Sequence, residues 1–220
     1  DEYLKKRMAD YDPNKAGNSK DIKEGYIIEG EETTHFDVLD KEGNAVSVTT
    51  TLNGSFGSGI VVDGAGFLLN NEMDDFSAKP GVPNMFGAVG AEANAIAPGK
   101  RMLSSMTPTI VLKDNQPYIV VGTPGGTTIP TSVYQTIVDM VDFHMTAQQA
   151  VDSPKFHQQW LPDVIYVEKD FNKNTMSGLE KMGYKIDERS SIGRTEVIEV
   201  KNKKIIAVAD SRGDDGAEGY

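Results

Sequence analysis

The chain has 220 residues, enough for one large or two small domains with a sizeable core. Its 33 acidic side chains against 22 basic ones give a formal charge of −11, which leaves no basic excess to neutralise a nucleic-acid backbone or to settle on an anionic membrane. It has no cysteine, which excludes disulfide frameworks, thiolate metal sites and thiol nucleophiles together, and no run of about 18 apolar residues that could span a bilayer.

Residues 1–32 are polar and charged, with a helical candidate over residues 3–11 followed by the loop Asp12-Pro13-Asn14-Lys15-Ala16-Gly17-Asn18-Ser19. Their apolar content is too low for a core of their own, so they read as a linker or as the tail of an upstream region. The opening residues lack the basic and then apolar segments of a signal peptide.

Two runs rich in Val, Thr and Phe, Thr33 to Val38 and Ala45 to Thr51, flank the turn Asp40-Lys41-Glu42-Gly43-Asn44, the pattern of a β-hairpin. A turn centred on Glu42 sets Thr33 opposite Thr51, hydroxyl beside hydroxyl. A threonine hydroxyl attacks well only when a base takes its proton, and the residue's own free α-amine, with a pKa of about 7.7–8.0, is one such base. An amide nitrogen is not, so a nucleophilic Thr33 requires that the Glu32–Thr33 bond be cut first. Threonine-rich strands also arise for conformational reasons alone.

After a glycine-rich loop, Leu52 to Gly59, the apolar runs Ile60-Val61-Val62 and Phe67 to Asn71 read as short strands, and the spacing of a phosphate-binding loop is absent. Glu72-Met73-Asp74-Asp75 gathers three carboxylates that suit a calcium ion or a ligand ammonium, without the ligand pattern of an EF-hand. Lys79 to Gly90 combines Pro, Gly and apolar residues without a period, as lid loops do. Ser104 and Ser105 precede a strand with no nucleophile elbow around them, and suit either hydrogen bonding to a ligand carboxylate or a plain turn.

Thr109 to Lys113 and Pro117 to Val121 form a second hairpin, and Gly122-Thr123-Pro124-Gly125-Gly126-Thr127-Thr128 leads from it into a helix marked by Ile129, Val133, Ile137 and Val141. Glycines between a strand and a helix start leave backbone N–H groups free to face one small space, which suits an oxyanion or serves only as a connection. Thr146 and Gln149 form a capping box opening a short helix that ends before Pro154. A strand over 164–167, a helix over 175–182 and a hairpin of 196–200 with 205–208 complete the chain. His35, His144 and His157 stand apart from any metal-ligand spacing and read as structural, and Arg212-Gly213-Asp214 as coincidence.

From Thr33 to Tyr220 the chain closely resembles the small catalytic subunit of the γ-glutamyltranspeptidases, members of the N-terminal nucleophile hydrolase superfamily. The motifs that carry the resemblance are Thr33-Thr34-His35-Phe36, Thr49-Thr50-Thr51-Leu52-Asn53, Leu69-Asn70-Asn71-Glu72-Met73-Asp74-Asp75-Phe76, Lys100-Arg101-Met102-Leu103-Ser104-Ser105-Met106-Thr107-Pro108, Pro124-Gly125-Gly126 and the tail ending Gly219-Tyr220. The resemblance implies an α/β (α+β) fold, the four-layer αββα sandwich, of which this chain is the C-terminal half. Residues 1–32 would be the end of a large subunit and 33–220 the small catalytic subunit, freed by autocatalytic cleavage between Glu32 and Thr33.

The same resemblance implies that Thr33 attacks a γ-glutamyl carbonyl, that Thr51 orients it and that Gly125 and Gly126 form the oxyanion hole. Asn53, Glu72 and Asp75 would hold the substrate's α-amino group, and Ser104 and Ser105 would bind around its α-carboxylate. It implies glutathione or another γ-glutamyl compound as donor, water, an amino acid or a peptide as acceptor, no cofactor or metal, a heterodimer with the large subunit, and a periplasmic or secreted location. Two departures qualify the match. Phe86 stands where the family often has a lid tyrosine, and the arginine that grips the α-carboxylate belongs to the large subunit. A related amidase, cephalosporin acylase-like or poly-γ-glutamate-cleaving, and an unprocessed non-enzymatic homologue are the rival expectations.

Overall fold

The computed structural model describes Lys5 and residues 33–219. The expected helix over residues 3–11, the loop after it, Glu32 and Tyr220 lie outside the described residues. Apart from Lys5, all that is described belongs to the second of two units, Asp1–Gly30 and Glu31–Tyr220.

The fold starts from the hairpin of β1 (Thr33–Leu39) and β2 (Ala45–Thr51), antiparallel and in register from Thr33 opposite Thr51 to Leu39 opposite Ala45. The turn closes through Gly43 N–H on Asp40 O and Asp40 N–H on Asn44 O, with Gly43 at φ 87°, where a β-carbon would be strained. Its two faces reverse the usual order: Thr33, His35 and Asp37 point inward, whereas Phe36, Val38 and Val46 are exposed. The polar groups of that inner face pair chiefly within the hairpin, and Ser47 Oγ donates to Val121 O of the next sheet at 3.5 Å.

That sheet is antiparallel and has the order β3 (Thr109–Lys113), β4 (Gln116–Gly122), β8 (Glu196–Lys201) and β9 (Lys204–Val208). In β4 the run Ile119-Val120-Val121-Gly122 is buried on both faces, as a strand covered from both sides must be. The hairpin covers one face: the His35 ring lies so close to Gly122 that any β-carbon there would fall 2.0 Å from His35 Cε1. Helices α1 (Ile129–Val141) and α2 (Ala147–Asp152) cover the other, burying Ile129, Val133, Met140, Ala147, Ala150 and Val151 against Ile119, Val121, Val197 and Val208. Helix, sheet and hairpin are thus three successive layers of the expected αββα order.

The capping box is present in both bonds, with Gln149 N–H donating to Thr146 Oγ1 and Thr146 N–H to the Gln149 side chain. A smaller sheet joins β5 (Phe156–His157), β6 (Ile165–Glu168) and β7 (Ile186–Arg189), with α3 (Lys173–Lys181) crossing between β6 and the parallel β7. The apolar runs at 60–62 and 67–71 do not form strands. They meet at one bridge, Val61 with Leu68, and leave Ile60, Val61, Phe67 and Leu69 exposed, because no neighbouring strand covers them.

One network ties the far end of the large sheet to α2. Lys155 Nζ, almost wholly buried, donates to the carbonyls of Ala150, Val151 and Ser153 at the helix C-terminus, where the orphaned carbonyls need donors. Glu168 accepts from the Lys155 and Ile192 backbone N–H groups and from the Arg212 guanidinium, which also reaches Asp210. Arg212 is therefore committed inside the fold, which removes Arg212-Gly213-Asp214 as an exposed recognition tripeptide.

Candidate active site

Thr33 begins β1 and Thr51 ends β2, so their inward side chains meet across the hairpin mouth, where Thr33 Oγ1 donates to Thr51 Oγ1 at 3.2 Å. Thr33 is only 8% exposed. Thr51 Oγ1 also accepts from Asn53 N–H at 3.0 Å, a bond available because Asn53 adopts a left-handed conformation, φ 74°. The second hydroxyl therefore accepts from both sides, which orients the Thr33 proton.

The Asn53 amide continues inward, donating to Asn71 O at 3.3 Å and lying 3.4 Å from Met85 Sδ. Asn71 returns the contact by accepting from Gly54 N–H at 2.9 Å. Straight after Asn71 the chain makes a 3-10 turn, Glu72–Asp75, so its carboxylates follow directly on the residue that Asn53 grips. Burial, and then the charges of Glu72 and Asp74, push the Asp75 carboxyl up to about 6. A partly desolvated acid beside two others is well disposed to a cationic ligand group. Asp75 also lines a cleft of about 180 Å³ beneath the Lys79 to Gly90 loop, with Phe76, Asn84, Asn94 and Leu103.

Gly125 and Gly126 follow β4, buried, with φ 138° and 56°. Their carbonyls are taken: Gly125 O accepts from Thr128 N–H and Oγ1, and Gly126 O from Ser105 Oγ at 3.0 Å. Those bonds fix the conformation of the loop. Ser105 is thereby joined to the glycine loop, whereas Ser104 is exposed and accepts from Met106 N–H. The strand carrying Thr33 reaches the same region through His35, packed on Gly122 three residues before Gly125. His35, with Nδ1 2.8 Å from Thr49 Oγ1 and Nε2 3.0 Å from Asp37 Oδ1, holds that approach in place. Two clusters result, Thr33-Thr51-Asn53-Asn71 leading to the acidic turn and Ser105-Gly126, linked by the packing of β1 on β4.

The gamma-glutamyltranspeptidase family model matches residues 1–220. The chain belongs to that family. It is 47% identical over 222 residues to the glutathione hydrolase proenzyme of Escherichia coli strain K12, covering 99% of this chain and 38% of that protein. It therefore spans well under half the length of that relative. Among solved structures, a gamma-glutamyltranspeptidase mutant from Helicobacter pylori is 50% identical with a TM-score of 0.78 over 82% of this chain and 100% of that one. The gamma-glutamyltranspeptidase of Pseudomonas nitroreducens in complex with L-DON is 48% identical with a TM-score of 0.79, over 85% and 99%. The fold is accordingly that of the N-terminal nucleophile hydrolases, in its α+β form.

Within this family member, two residues escaped sequence reasoning. Asn71 staples the Asn53 loop to the acidic turn, and Met85 supplies the lid's contact with Asn53, its N–H held by Asp74 Oδ2 at 3.0 Å. Phe86, at the departure from the usual lid tyrosine, engages Asn84 through its own N–H. A soft thioether is a weak acceptor, so the contact between this loop and Asn53 is a weak one.

Proposed function

We propose that the protein containing this chain transfers and hydrolyses γ-glutamyl groups, glutathione among them, through a γ-glutamyl ester on Thr33. The observation that carries the proposal is the buried Thr33 hydroxyl, aligned on Thr51 at the start of β1 and joined through Asn53 and Asn71 to the acidic turn. Membership of the family supports it.

In maturation, Thr33 Oγ attacks the Glu32 carbonyl, the C–N bond to Thr33 breaks and its nitrogen takes a proton. Water then hydrolyses the resulting ester, leaving a Glu32 carboxylate and a free Thr33 amine. In turnover that amine accepts the Thr33 hydroxyl proton while Oγ bonds to the γ-carbonyl carbon. The oxygen becomes an oxyanion facing the Gly125 and Gly126 N–H groups, and the intermediate collapses as the protonated leaving amine departs. Water or the amine of an amino acid or peptide attacks the ester and returns the proton to Thr33. Asn53, Glu72 and Asp75 bind the substrate α-ammonium, and Ser104 and Ser105 its α-carboxylate. The proposal includes a large subunit from the same precursor, with residues 1–32 at its end, and a periplasmic or secreted location.

Turnover of γ-glutamyl-p-nitroanilide and glutaryl-p-nitroanilide by the whole protein tests this. The two differ only in the α-amino group, so the acidic turn predicts strong preference for the first. Equal turnover, or preference for the glutaryl amide, would favour the acylase-like rival.

A further inference from the structure

Three carboxylates from distant parts of the chain, Asp37, Glu196 and Asp215, act on one another with Arg194 at their edge. Asp37 lies on β1, its side chain 3% exposed and its Oδ1 spent on His35 Nε2. Glu196 opens β8 directly opposite Gly122, the residue beneath that ring. Asp215 comes from the segment after β9. Asp37 Oδ2, Glu196 Oε2 and Asp215 Oδ2 are all buried without a hydrogen-bond partner. Buried acceptors facing one another are costly unless a proton turns one of them into a donor.

We propose that Glu196 is protonated and shares its proton with Asp215 beside Asp37, clamping the tail 210–219 to the strand that carries Thr33, so that Glu196 is a positioning residue for that strand. The charged and titratable groups around the clamp are His35 and Asp37 on β1, Glu196 itself, Arg194 just before β8, and Asp210, Asp214 and Asp215 in the tail. Arg194 lies 3.4 Å from Asp214 and 3.7 Å from Asp215 while Arg212 is held by Asp210 and Glu168, and the Arg194 guanidinium does not neutralise three carboxylates. The tail is drawn in tightly: a β-carbon on Gly213 would fall 2.6 Å from Arg194 Cδ and 2.8 Å from Asp215 Oδ2. Burial, followed by the charge of Asp215, pushes the Glu196 carboxyl up to about 8, which agrees with the geometry.

The sign follows from proton counting. Between the ordinary glutamate range near 4.5 and about 8 the folded chain holds a proton that the unfolded chain releases, so the clamp's stabilisation declines as pH rises across that window. Above about 8 the folded clamp ionises too, like charges meet, and the partly exposed segment after Arg212 loses its tie to β8.

Glu196→Gln keeps the shape and a permanent donor without titrating. In the full-length protein we expect the infrared band of a protonated carboxyl at pH 7 in the wild type and its loss in E196Q. Limited proteolysis should open the wild-type tail at least several-fold faster at pH 9 than at pH 7, with E196Q nearly level. On the proposed γ-glutamyl activity, on which the positioning role rests, kcat should show an alkaline fall near pH 8 that E196Q lacks, with KM little changed. A wild-type protein without the infrared band overturns the clamp, as does an E196Q protein whose proteolysis follows the wild-type pH dependence. An identical kcat profile in the two overturns the positioning role. Asp215→Asn, which removes the like charge and offers a second donor, should also flatten the proteolysis profile, and its failure to do so counts against the clamp if E196Q does not fold. An active clamp in a protein without γ-glutamyl turnover would instead overturn the proposed activity alone.

Discussion

Asp75 is charged only at the cost of leaving water beside Glu72 and Asp74, and that cost sets when it can grip an ammonium. Because its carboxyl is pushed up to about 6, it takes a proton as pH falls through that value and would lose the attraction for an ammonium on which the proposed activity draws. kcat/KM for a γ-glutamyl amide should therefore drop below about pH 6, and Asp75→Asn should lower kcat/KM throughout and remove that acid limb. A pH–rate profile of wild type and variant checks both. The lid is a second matter of single atoms. Phe86→Tyr adds a hydroxyl to the loop whose Met85 contacts Asn53 only through sulfur. The variant should shift the ratio of transfer to hydrolysis at saturating acceptor, and an unchanged ratio would show that the lid does not govern the acceptor.

Among the elements, the hairpin was the most legible. A short polar turn fixes its centre, the period of two fixes the faces, and the pairing of Thr33 with Thr51 follows by counting. The glycine loop was legible for a similar reason, since strand, glycines and helical period occur in immediate succession. β5 and β7 were not. The first has two residues, and the second is Ile186-Asp187-Glu188-Arg189, whose charges hide a strand that exists through its parallel partner β6. The runs at 60–62 and 67–71 looked like strands because they are apolar, yet apolar character makes a strand only where another strand covers it. Asn71, Met85 and the Glu196 cluster depend on contacts between distant segments, which leave no local pattern. The same holds for Glu168, which anchors α2 to the tail through Arg212 and two backbone amides. Glu168→Ala would leave two buried backbone amides without their acceptor and Arg212 with Asp210 alone as its carboxylate, so it should lower stability by about 1–3 kcal/mol in chemical denaturation while leaving the Thr33–Thr51 pair in place.

At the scale of the whole molecule, the chain supplies helix, sheet and hairpin, and the hairpin turns Phe36, Val38 and Val46 outward. An apolar outer face over a polar inner one suits a hairpin whose far side is covered by the remainder of a longer protein, in keeping with a chain that spans 38% of its Escherichia coli relative. The account of the chemistry rests on a single covalent event, the release of the Thr33 amine. Intact-mass analysis with N-terminal sequencing of the full-length protein, wild type beside Thr33→Ala, tests it most directly. The account predicts two fragments in the wild type, one beginning at Thr33, and one uncut chain in the variant. A wild-type chain that stays whole while turning over γ-glutamyl-p-nitroanilide, or a variant that is still cut before residue 33, would contradict it.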